Sequence, residues 1–225
     1  FYTSFPAYQG CIVALHYNPA SLAFLKKPEL ALMTKRGAAE DQFSSFTFGA
    51  HVRSPKIPQL AGNTAASFHY YSAGEIELID DQGNVSTVNS QRDMAFIASY
   101  GRSIYDRLGL VLNLKYLRST LLESFTASSF GTDIGALLDL RLVSMGLSFQ
   151  NIGTSLKYGN AAEPIPFTIR GGLSRRFLVY EEHRVISALD FVKKKCENLK
   201  YSTGVEYIFQ DRIFARFGYR INGTT

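Results

Sequence analysis

Residues 108–117, Leu-Gly-Leu-Val-Leu-Asn-Leu-Lys-Tyr-Leu, decide the fold of this chain because the character of the side chain changes at every position. One set of alternate positions, from Leu108 to Tyr116, is large and apolar. The set between them, from Gly109 to Leu117, includes glycine, asparagine and lysine. Successive side chains of a β-strand point to opposite faces, so this two-residue period predicts a strand with two unlike faces.

The same period recurs along most of the chain and predicts an all-β fold. Strands of roughly 9–11 residues can cross a bilayer at a tilt, whereas strands of soluble sheets have about 5–6 residues. Most of the predicted strands have the greater length. They span residues 29–36, 42–53, 63–74, 93–105, 108–120, 130–141, 142–152, 165–177, 183–193, 199–210 and 212–221.

The composition agrees with membrane strands and excludes membrane helices. Hydrophobic residues make up 46% of the 225 residues, and the mean hydropathy is −0.04. A spanning helix needs about 20 consecutive apolar residues, and the chain has no run approaching that length. A membrane strand carries its apolar residues at alternate positions only, which dilutes the hydropathy. We therefore predict an antiparallel transmembrane β-barrel.

The lengths of the predicted connections alternate. They are short after the fourth, sixth, eighth and tenth predicted strands, and mostly longer after the third, fifth, seventh and ninth, at residues 75–92, 121–129, 153–164 and 194–198. Short turns at one end and long loops at the other are typical of outer-membrane barrels. A soluble β-sandwich or lipocalin-type barrel is the alternative. It is less favoured because a packed core does not combine glycine and serine with arginine and glutamate.

The N-terminal part of the chain predicts a buried or occluded irregular segment. The first 25 residues carry no Asp, Glu, Lys or Arg. Asn18 and Pro19 are residues that begin helices, as an N-cap and as the first helical residue, so we predict a short helix over 19–27. The predicted organisation is an N-terminal plug segment, 1–27, followed by a barrel domain, 28–225.

Charged residues fall on the small, polar face of several predicted strands. Opposite charges on neighbouring antiparallel strands can meet, so a salt-bridge ladder that stiffens the lumen wall is the favoured interpretation. A polar constriction that contacts a solute is the alternative. The residues concerned are Arg170, Asp190, Glu206, Arg216, Lys115 and Asp133.

Catalytic and metal-binding signals are weak. The sequence has no nucleophile elbow, phosphate loop or dinucleotide fingerprint, so we predict neither an enzyme nor a cofactor. His51 and His69 fall on neighbouring predicted strands, but hydrogen bonding is favoured over a shared metal site. The spacing of Cys11 and Cys196 excludes a cysteine-based zinc site and leaves their pairing open. The net charge of +5 is too small to indicate nucleic-acid binding.

Several blocks of the chain resemble known outer-membrane proteins. Residues 18–23, Asn-Pro-Ala-Ser-Leu-Ala, resemble a motif near the mature N-terminus of FadL-like proteins, carried by Asn18, Pro19, Ala20 and Leu22. Longer blocks resemble the PorV/PorQ family and its uncharacterised spirochaetal relatives. These blocks lie at 70–75 with 80–83, 110–116, 132–138, 151–153, 164–177, 189–191, 204–207 and 216–220. Their order and spacing carry the resemblance over almost the whole chain.

The resemblance implies a fourteen-stranded barrel with an N-terminal segment in its lumen. Eleven predicted strands leave three unaccounted for, and the chain stops at the turn-forming residues 222–225. We therefore expect the barrel to be completed by further C-terminal residues. Residues 8–11, Tyr-Gln-Gly-Cys, depart from the glycine-rich opening of the family.

The resemblance implies two functions in the bacterial outer membrane. PorV-like members take part in type IX secretion, which implies an accessory role and protein partners in a membrane complex. FadL-like members carry hydrophobic molecules through the lumen, which implies a hydrophobic ligand or lipid there. The secretion role is favoured because the longer blocks lie on that branch. Either role implies contact with outer-membrane lipid.

Overall fold

The computed structural model describes residues 12–37, 40–52, 61–79, 82–180, 182–210 and 212–222. Within these ranges it contains two 3-10 helices, Ile12–His16 and Pro19–Phe24, and fifteen strands, numbered in chain order. Eleven strands form one antiparallel sheet in the spatial order β1 (Glu29–Arg36), β2 (Gln42–Val52), β3 (Gly62–Ser72), β6 (Gln91–Ile104), β7 (Leu108–Leu121), β8 (Phe125–Asp139), β9 (Val143–Gly153), β12 (Thr168–Tyr180), β13 (His183–Lys194), β14 (Lys200–Phe209) and β15 (Ile213–Asn222). Two hairpins complete the set: β4 (Glu75–Ile79) with β5 (Val85–Asn89), and β10 (Leu156–Tyr158) with β11 (Ala161–Glu163).

The predicted all-β antiparallel fold is confirmed. Each of the eleven predicted strands overlaps one strand of the main sheet, which we call the wall. In the described residues β1 pairs only with β2, and β15 pairs only with β14, so these two strands are the edges of the wall. Closure with fourteen strands stays a prediction.

The two faces of the wall differ as the alternation predicted. On β7, Leu112 is 44% exposed whereas Asn113 is 2% exposed. On β14, Val205 is 47% exposed whereas Glu206 is 9% exposed. The large apolar side chains therefore cover the outer face, and the small and polar side chains cover the inner face, which we call the lumen face.

The connections separate the two ends of the wall. At the short-turn end, residues 105–107 and 140–142 join neighbouring strands directly. At the opposite end, which we call the hairpin end, two long connections contain the β4–β5 and β10–β11 hairpins. None of the helices in the described ranges has the length and apolar character needed to cross a membrane.

The prediction of a long loop at residues 121–129 is wrong. Strand β7 continues to Leu121 and β8 begins at Phe125, so only three residues connect them. Leu122 and Glu123 both have positive φ, 50° and 57°, which suits a tight hairpin turn. The small polar residues that follow Phe125 resemble loop residues in the sequence. In the structure they belong to β8 and pair with β7, and the hydroxyls of Thr120 and Thr126 on these two strands lie 3.2 Å apart.

The buried apolar core lies between the lumen face and the N-terminal segment. Residues 12–25, which we call the plug, contribute most of it, and the wall adds Ala65, Val111 and Leu137. The predicted helix over 19–27 is a 3-10 helix that ends at Phe24. The division into segments 1–27 and 28–225 stays a prediction, since the description of the N-terminal segment begins at Ile12.

Candidate functional site in the plugged lumen

Asn18 shapes the plug and joins it to the wall. Its backbone is extended, and its Oδ1 accepts a hydrogen bond from the Ala20 N–H at 2.9 Å, which caps the 3-10 helix that begins at Pro19. Its Nδ2 donates to the carbonyl oxygen of Ala136 on β8 at 3.2 Å. Asn18 and Ala20 are 0% exposed, and Leu22 is 1% exposed. The motif residues noted in the sequence are thus enclosed by the wall.

Glycines on three neighbouring strands let the plug approach the wall. They are Gly101 on β6, Gly109 on β7 and Gly135 on β8. A β-carbon at Gly135 would lie 2.6 Å from Asn18 Oδ1, and one at Gly109 would lie 2.8 Å from the Ala23 β-carbon. Any side chain at these positions would collide with the plug, because non-bonded carbon atoms pack at about 3.5–4.0 Å.

Polar side chains of the wall also hold the plug backbone. Asn63 on β3, which is 4% exposed, donates from Nδ2 to the carbonyl oxygens of Leu22 at 2.7 Å and Leu25 at 3.1 Å. Gln150 on β9 donates from Nε2 to the carbonyl oxygen of Tyr17 at 2.9 Å. Buried backbone carbonyls need such partners. The wall therefore satisfies plug groups that water cannot reach.

Lys115 and Asp133 form a buried ion pair on the lumen face. Lys115 Nζ lies 2.7 Å from Asp133 Oδ2, and the two side chains are 13% and 3% exposed. Asp133 also accepts hydrogen bonds from Asn113 Nδ2 at 3.0 Å and from the Asn151 N–H at 2.8 Å. The last contact depends on a register shift in the β8–β9 ladder beside Ile134, which turns the Asn151 N–H toward the carboxylate. The buried carboxylate is thereby paired and hydrogen-bonded.

The four charges predicted to form a ladder do not form a continuous one. Arg216 Nε donates to Glu206 Oε1 at 2.5 Å, so the last two strands are joined. Arg170 instead donates to Gln150 Oε1 at 3.1 Å, and its guanidinium lies 5.7 Å from the centroid of the Tyr17 ring. The side chain of Arg170 thus contacts the plug as well as the wall.

Asp190 lies apart from the Glu206–Arg216 pair. It is opposite Gly172 on β12 and Ser202 on β14, and Ser202 lies four residues, or about 13 Å, from Glu206 along the strand. Asp190 is 2% exposed, and neither of its carboxylate oxygens has a hydrogen-bond partner among the described residues. The register of the strands therefore separates this carboxylate from the pair that the sequence placed beside it.

We expect the Glu206–Arg216 pair to contribute little to stability. The Arg216 side chain is 54% exposed, and exposed ion pairs contribute about 1 kcal/mol or less. Replacement of Arg216 by methionine should lower the free energy of unfolding by no more than that amount, measured by urea titration in detergent. A loss several times larger would show that the pair is not screened by solvent.

A cavity of about 800 Å³ lies above the plug, toward the hairpin end. Apolar residues such as Ile97 and Leu117 line it together with Lys115, His16 and His69. A second cavity of about 350 Å³ shares His69 and Leu117 with the first and extends to residues 156–166, around the β10–β11 hairpin. A third cavity of about 660 Å³ lies on the other side of the plug, at the short-turn end, where Phe24 and Asp106 line it. The plug therefore separates the open space at the two ends of the lumen.

The histidines do not form a shared metal site in the described residues. His51 Nδ1 lies 2.9 Å from Asn63 Oδ1, whereas the ring of His69 lies 4.7 Å from that of His16, centroid to centroid. In the described ranges no group of three His, Cys, Asp or Glu residues is placed to hold a metal ion. His69 thus borders the plug, and His51 supports Asn63.

The connection between β13 and β14 carries a small charged cluster. Glu197 accepts hydrogen bonds from Lys200 Nζ at 2.7 Å and from Lys194 Nζ at 3.0 Å. The bond from Lys200, followed by that from Lys194, holds the pKa of the Glu197 carboxyl below its usual value. Cys196, in the same turn, is exposed, whereas its suggested partner Cys11 lies outside the described residues.

Sequence reasoning missed the residues that clamp the plug. Asn63 and the glycines at 101, 109 and 135 lie on the predicted lumen face, but nothing local marks them as plug contacts. The one available signal is that glycine recurs on the same face of neighbouring strands, where an ordinary strand would carry a side chain.

The fold and the site define a class of protein: a barrel-like antiparallel β-sheet with an apolar outer face, whose inner face is covered by the N-terminal residues 12–25. The family model of the type IX secretion system protein PorV matches residues 16–198. The chain therefore belongs to the PorV family, which is a family of type IX secretion outer-membrane proteins. The resemblance to PorV noted in the sequence is confirmed. No curated protein matches the chain.

Proposed function

We propose that this protein is an accessory component of type IX secretion in the outer membrane, and that it acts as a docking body rather than as a conduit. The observation that carries the proposal is the clamped plug. Membership of the PorV family supports the link to secretion. The buried plug supports the docking role, because residues 12–25 lie between the cavities at the two ends and obstruct a solute while they remain in place.

The contacts of the plug favour a plug that stays in place. Displacing it would break the hydrogen bonds from Asn63 and Gln150 and would expose the apolar side chains of Ile12 and Leu22. Each buried donor or acceptor left without a partner costs about 1–3 kcal/mol. A displacement of this cost in every transport cycle is unfavourable without an energy source.

The hairpin end offers surfaces for protein partners. The β4–β5 hairpin lies outside the wall, and Ile79 and Val85 on it are 71% and 59% exposed. Its strands pair only with each other, so their outer edges are free to accept a further strand in the described structure. The outer face of the wall would meanwhile contact membrane lipid through its apolar side chains.

A reversible cross-link that locks the plug tests this proposal. Val13 on the plug and Ala95 on β6 line the same cavity of about 800 Å³, so a bifunctional maleimide with a reducible centre can join cysteines at the two positions through open space. The test variant combines Val13→Cys with Ala95→Cys. Cys11 and Cys196 are changed to serine. We expect cells that carry the cross-linked variant to retain secretion of type IX cargo.

The controls use the same background. The variants with only one of the two new cysteines show the effect of the substitutions alone, and reduction of the double variant shows the effect of the link. Loss of secretion on cross-linking, with recovery on reduction of the cross-linker, would contradict the docking role. Unimpaired secretion after deletion of the whole protein would contradict the link to secretion.

Uptake of a hydrophobic compound is a second candidate, favoured by the cavity of about 800 Å³ above the plug. The same locked variant separates it from docking. A conduit requires the plug to move, so cross-linking would abolish uptake, whereas a docking body would show no dependence on the link.

A further inference from the structure

The outer face of the short-turn end carries a cluster that we call the short-turn rim: Leu140, Arg141, Leu142, Arg175 and Phe177. Arg175 is exposed and lies at an outward position next to Ser174, which is 6% exposed and faces the lumen. Its guanidinium lies 4.9 Å from the centroid of the Phe177 ring. Leu140 and Leu142 are 47% and 58% exposed. Cations beside exposed apolar and aromatic side chains are typical of the headgroup level of a membrane protein.

The rim is held in place by its hydrogen bonds. The Arg141 N–H donates to Asp139 Oδ1 at 3.1 Å, and Arg176 Nη1 donates to the Arg141 carbonyl oxygen at 2.9 Å. The Arg176 N–H donates to the Leu142 carbonyl oxygen at 2.8 Å, which joins the turn to β12. A fixed turn loses little conformational entropy when it binds a ligand.

Among the described residues, Arg141 and Arg175 have no ion-pair partner. The nearby carboxylate of Asp139 lies 3.6 Å from Arg176 Nη1 and accepts from Ser144 Oγ at 2.9 Å. Two exposed guanidinium groups therefore stand next to an apolar surface.

The two ends of the wall differ in charge. Lys26, Lys27, Arg107 and Arg212 are also exposed at the short-turn end. The exposed carboxylates beside them are those of Asp106 and Glu182. At the hairpin end the exposed charges are of both signs, because Lys35, Arg36, Lys193 and Lys195 are exposed there as well as Glu40, Glu75, Glu77 and Glu123. Exposed cations thus predominate at the short-turn end, which would attract an anionic surface.

We infer that the short-turn rim binds the phosphate groups of anionic phospholipids in the leaflet at that end of the barrel. This inference rests on the proposed insertion in the outer membrane. A guanidinium donates two parallel hydrogen bonds to a phosphate, and the acyl chains would lie against Leu140, Leu142 and Phe177. The rim thereby fixes the height of the wall in the bilayer at the short-turn end.

Native mass spectrometry of the purified protein, titrated with phosphatidylglycerol or phosphatidylcholine, tests the inference. The test variant is Arg141→Gln with Arg175→Gln, and the control is Arg118→Gln, an exposed arginine near the hairpin end. We expect the affinity for phosphatidylglycerol to fall about five-fold for each rim arginine removed, and the affinity for phosphatidylcholine to stay unchanged. Heat-modifiable gel mobility shows that each variant is folded.

Several results would overturn the inference. These are an unchanged affinity for phosphatidylglycerol in the double variant, an equal loss for both lipids, and an equal loss in the control. Displacement of phosphatidylglycerol by the same concentration of inorganic phosphate would show a site for free phosphate instead. Unchanged lipid affinity with loss of co-purified proteins would show an acidic protein partner. Failure of the wild-type protein to insert into nanodiscs is a different result, because it overturns the proposed function itself.

Discussion

Replacing Gly135 by alanine is expected to loosen the plug from the wall. The new β-carbon would lie 2.6 Å from Asn18 Oδ1, 2.9 Å from Pro19 Cγ and 3.0 Å from the Ala20 nitrogen. These atoms belong to the N-cap residue Asn18 and to the first residues of the 3-10 helix. Moving them away from β8 would break the hydrogen bond by which Asn18 caps the helix. Overpacking of this kind costs about 1–3 kcal/mol, which corresponds to a fall of several degrees in the midpoint of heat-modifiable gel mobility.

Gly131 provides the matched control for this prediction. It lies on the same strand and the same face, but a β-carbon there would meet only the Ile152 carbonyl oxygen at 3.9 Å and the Lys115 β-carbon at 4.0 Å. We expect Gly131→Ala to leave the midpoint unchanged. Protease cleavage within the plug should rise in Gly135→Ala and not in Gly131→Ala. Equal midpoints and equal cleavage in the two variants would show that the plug does not press on β8.

Replacing Lys115 by methionine is expected to have the largest effect on stability. The substitution would leave the Asp133 carboxylate, with a side chain 3% exposed, without its cation. Removing one partner of a buried ion pair costs about 3–5 kcal/mol, because the remaining charge stays buried without an opposite charge beside it. Urea titration in detergent would measure the loss of unfolding free energy.

The double variant Lys115→Met, Asp133→Asn should recover most of this loss. Neutral asparagine removes the uncompensated charge, and its side-chain oxygen can still accept from the Asn151 N–H. A double variant as unstable as Lys115→Met would show that packing around Lys115, and not the charge of Asp133, causes the loss. The effect expected of Arg216→Met in the same assay is far smaller, because the Arg216 side chain is more exposed than the Lys115 side chain.

The strands and their faces could be predicted from the sequence. The alternation in residues 108–117 is local, since each side chain follows from the direction of its own backbone. Asn18 and Pro19 also act locally, and their positions predicted the start of the 3-10 helix. The loop predicted at 121–129 was wrong because serine and threonine suit both a turn and the end of a membrane strand.

The contacts between strands could not be predicted in the same way. Asp190 and Glu206 lie on neighbouring strands and the same face, but the register places them apart, since Asp190 is opposite Ser202. The length of each turn decides which residues of two neighbouring strands are opposite each other. For Asp133, the register shift in the β8–β9 ladder beside Ile134 also changes which residues are its neighbours. Charge alone therefore did not reveal which lumen residues meet.

The sequence by itself determined the antiparallel β-fold, the apolar outer face and the resemblance to PorV, because these depend on which residues occur and on their spacing along the chain. Only the tertiary structure decided that Gly101, Gly109 and Gly135 face the plug and that Asn63 holds its carbonyl groups. The reason is that the plug contacts wall residues that lie 38 positions further along the chain for Leu25 with Asn63 and 118 for Asn18 with Ala136. Such contacts arise only when the curved wall brings distant strands around one segment.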